Sequence, residues 1–311
     1  MKIQRPFIPF GILFGIMATS LVSLALSAGI QQSPQSFDTP EAAMTALIDA
    51  ADHNDSVALT RLLGPGSEDI ASTGSASEDK DRREEFARLA HEKSHLNLDP
   101  SNPNRATFTV GNQESPFPVP LTQKNGKWMF DTATGRVEIL AHRIGRNELD
   151  TMQACRGYVE AQLQYADKDH SGDGFLEYAQ RLLSNPGKQD GLYWEGPAGS
   201  LIPKSFAEAA ANYPEGPTKQ TPYHGYYFHV LRSQGPDAQG GAFNYVVKGN
   251  MIGGFALVAW PAQYGVTGIM TFTVNHLGIV YEKDLGPNSA TIARQMPTFN
   301  PDKSWHQVDL E

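Results

Sequence analysis

The residues best spaced for chemistry run from Asp169 to Glu177, in the order Asp169-His170-Ser171-Gly172-Asp173-Gly174-Phe175-Leu176-Glu177. A hard divalent cation takes about six to eight oxygens, and alternate residues around a tight glycine turn can supply them. Read as a calcium loop, Asp169, Ser171 and Asp173 take the first, third and fifth positions, and Gly174 makes the turn at the sixth. The Phe175 carbonyl points inward at the seventh, Leu176 is the apolar eighth, and Glu177 offers an oxygen at the ninth. The twelfth residue is Gln180 rather than a bidentate Glu, so one ligand and one charge are missing. Asp167 or Asp190 would have to compensate from outside the loop. The same residue types also make a plain turn. The cofactor expectation is therefore Ca2+ in a structural role, held by Asp169, Ser171, Asp173, Phe175 and Glu177.

Other chemistry-bearing patterns are thinner. His91-Glu92-Lys93-Ser94-His95 matches H-E-x-x-H, which on a helix sets two His on one face for zinc with the Glu as base. Lys93 places a cation beside that site, and Asn97 and Asp99-Pro100 predict a helix ending just beyond it, so a solvated helix end is expected. His170, at the second loop position, is expected to face water. The run Tyr223–His229 alternates as a strand, with His224 and Tyr226 on one face and Tyr227 and His229 on the other. A half-buried sheet face accounts for it. Nucleophilic catalysis lacks a G-x-S-x-G elbow. Ser77-Glu78-Asp79-Lys80 matches Ser-x-x-Lys only within a polar stretch, and the pairs Asp79/Asp81 and Glu84/Glu85 read as a solvated charge run. Cys155 falls on the apolar stripe Met152, Cys155, Val159, Leu163 and Ala166, which predicts a buried, inert thiol. No catalytic residue is assigned.

The elements that would carry these residues change character along the chain. Thr39, Pro40 and Glu41 start a helix whose apolar face is Ala43, Met44, Leu47, Ile48 and Ala51. Asp55 caps a second helix that Gly64-Pro65-Gly66 stops. A polar loop then leads to a helix over Asp81–His95. Short β runs follow at Ala106–Gly111, Phe117–Gln123 and Lys127–Asp131, with Lys124-Asn125-Gly126 as a hairpin turn. Asn147, with Asp150 three residues on, predicts a new helix to about Ala166, and a second over Glu177–Leu183. Strands are expected at Tyr223–Arg232, Ala242–Lys248, Phe255–Pro261, Gly268–Val274 and Ile279–Lys283, the last two joined through Asn275–Gly278. The fold class is α+β in two domains, each a helix packed on an antiparallel sheet. The expected divisions are a signal peptide at 1–29, a linker at 30–38, and domains at 39–145 and 146–311.

Composition narrows the setting. Lys2 and Arg5 precede an apolar run from Phe7 to Ala28, followed by small residues, the layout of a cleavable export signal, with an uncleaved membrane anchor as the alternative for a run of this length. Cleavage takes the formal charge from −9 to −11, with 23 basic residues against 34 acidic. An acidic surface repels phosphate backbones, so nucleic acid is excluded as a partner. With one cysteine the exported chain forms no internal disulfide. The expected location is the periplasm or cell surface, with no stable membrane span after signal cleavage.

From Gly126-Lys127-Trp128-Met129-Phe130-Asp131 through the Asp169 loop to Lys188-Gln189-Asp190-Gly191-Leu192-Tyr193-Trp194, and over nearly all of residues 38–309, the sequence resembles an uncharacterised bacterial family of exported proteins, domain of unknown function 2950. The stretch from Phe37 to Leu63, with the later GKWMFD, resembles the nuclear-transport-factor-2-like cone. The rhythm GYYF followed by GVTGIMTFTVNHLGIVYEKD resembles type IV pilin heads, although here the helix is internal and amphipathic rather than N-terminal. These resemblances imply an exported, non-enzymatic binding or envelope-assembly protein whose partner is an unidentified envelope protein or glycan. The alternative is a periplasmic hydrolase acting on glycan or peptide, at the H-E-x-x-H site or in an interdomain groove. In that groove Tyr193, Trp194, Trp260 and Tyr264 would stack on sugar faces, or else fill the interface between domains.

Overall fold

Thr39 begins the first helix as its sequence dictates. The computed structural model describes residues 34–196, 199–210 and 220–308, so the signal-like segment lies outside the described residues. Thr39 Oγ1 accepts the Ala42 N–H at 3.1 Å and Pro40 opens α1 (Pro40–Asp52). Asp55 Oδ1 accepts the Ala58 N–H at 2.9 Å at the head of α2 (Ser56–Leu63), which ends at Gly64. In both, a side-chain oxygen satisfies an N–H that has no partner within the helix.

The polar stretch that follows is not a loop. It forms α3 (Glu68–Ala71) and α4 (Ala76–Glu92), so α4 starts before the expected Asp81. The cause is Asp79, which is buried rather than solvated. Its carboxylate accepts Ser72 Oγ at 2.6 Å, the Thr73 N–H at 2.9 Å and Thr73 Oγ1 at 2.8 Å, folding the chain back at the helix start. The other end of α4 also differs. It stops at Glu92, and His95 belongs to β1 (Ser94–Asp99) because Ser94 pairs with Val110 and Gly111 N–H bonds the Lys93 carbonyl at 2.9 Å.

β1 leads an antiparallel sheet with β2 (Asn102–Val110), β3 (Ser115–Pro116), β4 (Leu121–Lys124) and β5 (Lys127–Phe130), in the order β1-β2-β4-β5 with β3 on β2. Asn125 (φ 52°) and Gly126 (φ 75°) form the two-residue left-handed turn between β4 and β5. Ala106, Phe108 and Val110 alternate inward from β2, meeting Leu121, Phe130, Leu47 and Leu62 in the first hydrophobic core.

A single helix, α5 (Thr132–Tyr165), then runs 34 residues. The helix start expected at Asn147 is wrong, and the expected boundary at 145/146 falls inside α5. Asp131 is the real cap, and Asn147 sits fully buried in mid-helix. A Cβ on Gly135 would lie 2.8 Å from the Pro118 carbonyl oxygen, so only glycine admits this close approach of α5 to the first sheet.

Beyond α5 the expected helix over Glu177–Leu183 is absent. Gln162 Nε2 donates to the Ala179 carbonyl and its Oε1 accepts the Ala179 N–H, both at 2.8 Å, while the Tyr178 N–H bonds Met251 O. Those three bonds hold the segment extended. After α6 (Lys204–Glu208) come β6 (Tyr226–Leu231), the short strands β7 (Ser233–Gln234), β8 (Phe243–Asn244), β9 (Val246–Val247) and β10 (Asn250–Met251), then β11 (Ala256–Pro261), β12 (Met270–Asn275), β13 (Val280–Asp284), α7 (Ser289–Arg294) and β14 (His306–Gln307). The second sheet is antiparallel in the order β14-β13-β12-β11-β6. The β12–β13 hairpin turns through Asn275–Gly278 as its sequence predicts. β11 is buried at all six positions because α5 and α7 both pack against it. The fold is α+β with two hydrophobic cores, and the described residues cluster as one unit. Among the described residues no helix is long and apolar enough to cross a membrane.

Candidate functional site

The Asp169 loop follows the end of α5 and closes on itself. Asp169 Oδ1 accepts the Ser171 and Gly172 N–H groups at 3.1 and 2.6 Å, and Oδ2 accepts that of Gly174 at 2.9 Å. Asp173 accepts the Phe175 N–H at 3.0 Å and Asn250 Nδ2 at 2.8 Å. These donors, led by the Gly174 and Phe175 amides, hold both carboxyls below the usual range. Burial, then the neighbouring Asp173, pushes Glu177 upward. Phe175 and Leu176 are exposed, although Leu176 would be the inward apolar residue of a calcium loop. Among the described residues no group of three or more His, Cys, Asp or Glu is disposed to hold a metal ion. His170 is half-buried: its ring stacks on Tyr165 at 4.0 Å and approaches Trp194 at 5.7 Å, with the rest of it open to water.

The remaining sequence candidates are dispersed. His91 Nε2 lies 2.6 Å from Asp52 Oδ2, His95 points from a strand, and Glu92 accepts Asn112 Nδ2, so the helical zinc geometry is not formed. Trp260 and Trp194 are buried in the second core, Tyr193 packs against it, and the Tyr264 hydroxyl bonds Asp284 at 3.1 Å. No hydrogen bond or ring contact joins the four into one surface among the described residues. Cys155 is fully buried, and burial pushes its thiol up to about 12. Leu163 of the expected stripe is exposed instead.

Two cavities gather groups that sequence reasoning scattered. The first, about 240 Å³, opens between the first core, α4 and α5. Leu47, Leu59, Ile70, Phe86, Phe117 and Ile139 form its wall, and its polar edge is Thr73, Asp79 and three arginines. Arg83 donates to Ala71 O at 3.0 Å and to Asn54, with Asp79 at 3.9 Å. Arg82 donates through Nη2 to Asn147 Oδ1 at 3.1 Å. Arg143, buried, donates to the carbonyls of Asp69 and Ile70. Burial, and then the charge of Arg82, pushes Arg143 below its ordinary value. Neither Arg82 nor Arg143 has a carboxylate within 4.0 Å among the described residues. The one sequence signal for Arg143 is its place in a row spaced by four, Gly135, Ile139, Arg143, Asn147, Thr151, Cys155 and Val159, which is the inward face of α5.

The second cavity, also about 240 Å³, is lined by Asp150, Gln153, Ile202, Phe206, Tyr223 and His224 among others. His224 precedes β6 rather than lying on it, with φ 48°. Its N–H donates to Glu78 Oε1 at 2.8 Å, and its Nδ1 lies 3.3 Å from Asp150 Oδ2. Glu78 thus ties α4 to the segment before the second sheet, and its Oε2 is buried without a hydrogen-bond partner among the described residues. Burial, with Glu78 and Asp150 nearby, raises Tyr223.

Against known proteins, one comparison succeeds. The model of the family described as "Protein of unknown function (DUF2950)" matches residues 34–308, so the chain belongs to that family. No curated protein and no solved structure gives a significant match.

Proposed function

We propose that this protein is an exported, non-catalytic binding protein that receives a small apolar ligand in the cavity of its first core. The observation that carries this reading is the character of that cavity. Its wall is hydrocarbon, and the single carboxylate at its edge, Asp79, is saturated by Ser72 and Thr73. A general acid or base must be free to exchange a proton with substrate. No such group lines this space, whereas apolar walls with few polar groups suit ligand capture. Export is supported by Lys2, Arg5 and the apolar run Phe7–Ala28.

The test is a thermal-shift and competition titration of the purified chain with linear alcohols. Affinity should rise by about 0.8 kcal/mol per methylene until the cavity is filled. Ile139→Trp, which fills the cavity from α5, should abolish the shift while the far-UV spectrum is retained. Absence of any shift in the wild type, or an equal shift in the variant, refutes the proposal.

One observation favours a second reading as a hydrolase. Asp150 and His224 share a cavity at 3.3 Å, a spacing at which a carboxylate orients an imidazole. Turnover of a glycan or peptide panel, lost in His224→Asn with the fold intact, would establish it.

A further inference from the structure

We infer that the ligand of the first cavity is an amphiphile, with its apolar tail against Phe86, Phe117 and Ile139 and an oxyanion head, carboxylate or phosphate, between Arg82 and Arg143. The inference rests on the binding reading above and names the chemistry of its ligand. The chain is acidic overall, at −9, yet this opening is ringed by three guanidinium groups and one carboxylate. That carboxylate is already committed, since Asp79 accepts from Ser72 and Thr73 and lies 3.9 Å from Arg83. The next acid along, Asp69, is bound by both terminal nitrogens of Arg136. Arg82 and Arg143 are left with neutral partners only, an amide oxygen and two main-chain carbonyls.

Carbonyls orient a guanidinium without forming an ion pair; Asp79 and Asp69 act on the buried Arg143 only from beyond 4.0 Å, and a buried charge with no direct counter-ion is costly. Each guanidinium also carries five N–H donors, and the contacts of Arg82 and Arg143 engage one and two of its terminal nitrogens respectively. The N–H groups that these contacts do not use are donors of the kind that a carboxylate or phosphate accepts. An anion entering here gains two charge-assisted contacts while its tail displaces water from hydrocarbon. An ammonium head would meet like charge, and a hydroxyl would gain only ordinary hydrogen bonds.

Competition titrations with octanoate, octyl phosphate, 1-octanol and octylamine separate the possibilities, run on the wild-type chain and on Arg82→Gln and Arg82→Lys. The two anions should bind about 10- to 100-fold more tightly than octanol, and octylamine more weakly than octanol. Arg82→Gln should narrow the gap between the anions and octanol by about 10-fold or more, and Arg82→Lys should restore part of the preference. A retained far-UV spectrum and a cooperative thermal transition show that each variant is folded. Equal affinity for anion and alcohol, or an anion preference untouched in Arg82→Gln, overturns the headgroup inference and leaves the apolar pocket standing. If none of the four binds, the binding reading itself is refuted.

Discussion

Replacing Asn147 with Ala tests whether one buried amide holds the two cores together. Asn147 is fully buried in α5; its Nδ2 donates to Thr267 O at 2.8 Å and its Oδ1 accepts Arg82 Nη2 at 3.1 Å. Arg82 belongs to α4 beside the first core, and Thr267 precedes β12 in the second sheet. Losing the bond to a charged donor costs about 1.5–3 kcal/mol, and leaving the Thr267 carbonyl unsatisfied costs about 1–3 kcal/mol more. The site cannot relax freely, since even a Cβ on Gly225 would lie 2.5 Å from Asn147 Nδ2. The expected destabilisation is about 3–5 kcal/mol, a fall in Tm of roughly 10 °C for a chain of this size. Urea unfolding followed by tryptophan fluorescence measures it. Asn147→Asp is the control that keeps volume: it retains an acceptor for Arg82 but turns a second acceptor on Thr267 O, so it should also destabilise. A double-mutant cycle with Arg82→Ala should give a coupling of about 1–2 kcal/mol. A loss below about 0.5 kcal/mol in Asn147→Ala, the size of an ordinary surface substitution, would refute the reasoning.

Two further perturbations address titration and the Asp169 loop. His276 is packed against the rings of Tyr245 and Phe255, and burial lowers it from its ordinary 6.5. The unfolded chain therefore binds the proton more readily, so this group's contribution to stability is full above about pH 6.5 and is lost as pH falls through the lower folded value. His276→Gln should flatten the slope of unfolding free energy below about pH 6.5 in denaturant titrations, and an unchanged slope would disprove the assignment. Asp169→Ala removes the acceptor for three backbone N–H groups and should loosen the exposed loop in calcium-free buffer, read as faster amide exchange at Ser171, Gly172 and Gly174. Calorimetry at millimolar calcium then discriminates a turn from a metal site. Heat in the wild type that vanishes in Asp169→Ala assigns the loop to calcium, and the absence of heat in both assigns Asp169 to the turn alone.

What was legible in the sequence was what is decided locally. The caps at Thr39 and Asp55, the Asn125-Gly126 hairpin and the turn from Asn275 to Gly278 each depend on residues within four positions, and all four form as written. The misreadings share the opposite cause. α4 begins early because Asp79 is buried against Thr73, and α5 runs on through Asn147 because a carbonyl 120 residues away completes its amide. The segment after Phe175 stays extended because Gln162 supplies the hydrogen bonds that a helix would have made internally.

In each case a polar side chain that reads as surface is instead a buried linker, and hydrophobic periodicity is blind to it. The candidate site inherits that blindness. Its apolar wall follows from ordinary core positions, but Arg82 stood in an apparent charge run and Arg143 among other polar residues of α5. The spacing by four from Gly135 to Val159 was the available clue, and it becomes decisive only when polar residues are allowed to count as inward. A buried arginine without an acid to pair with is more informative than one with such a partner. The fold has oriented the charge with main-chain carbonyls, kept Asp69 and Asp79 beyond ion-pair distance and left the direct counter-ion to something else, and at the mouth of a hydrocarbon cavity that something, on the proposal above, has both a tail and a negative head.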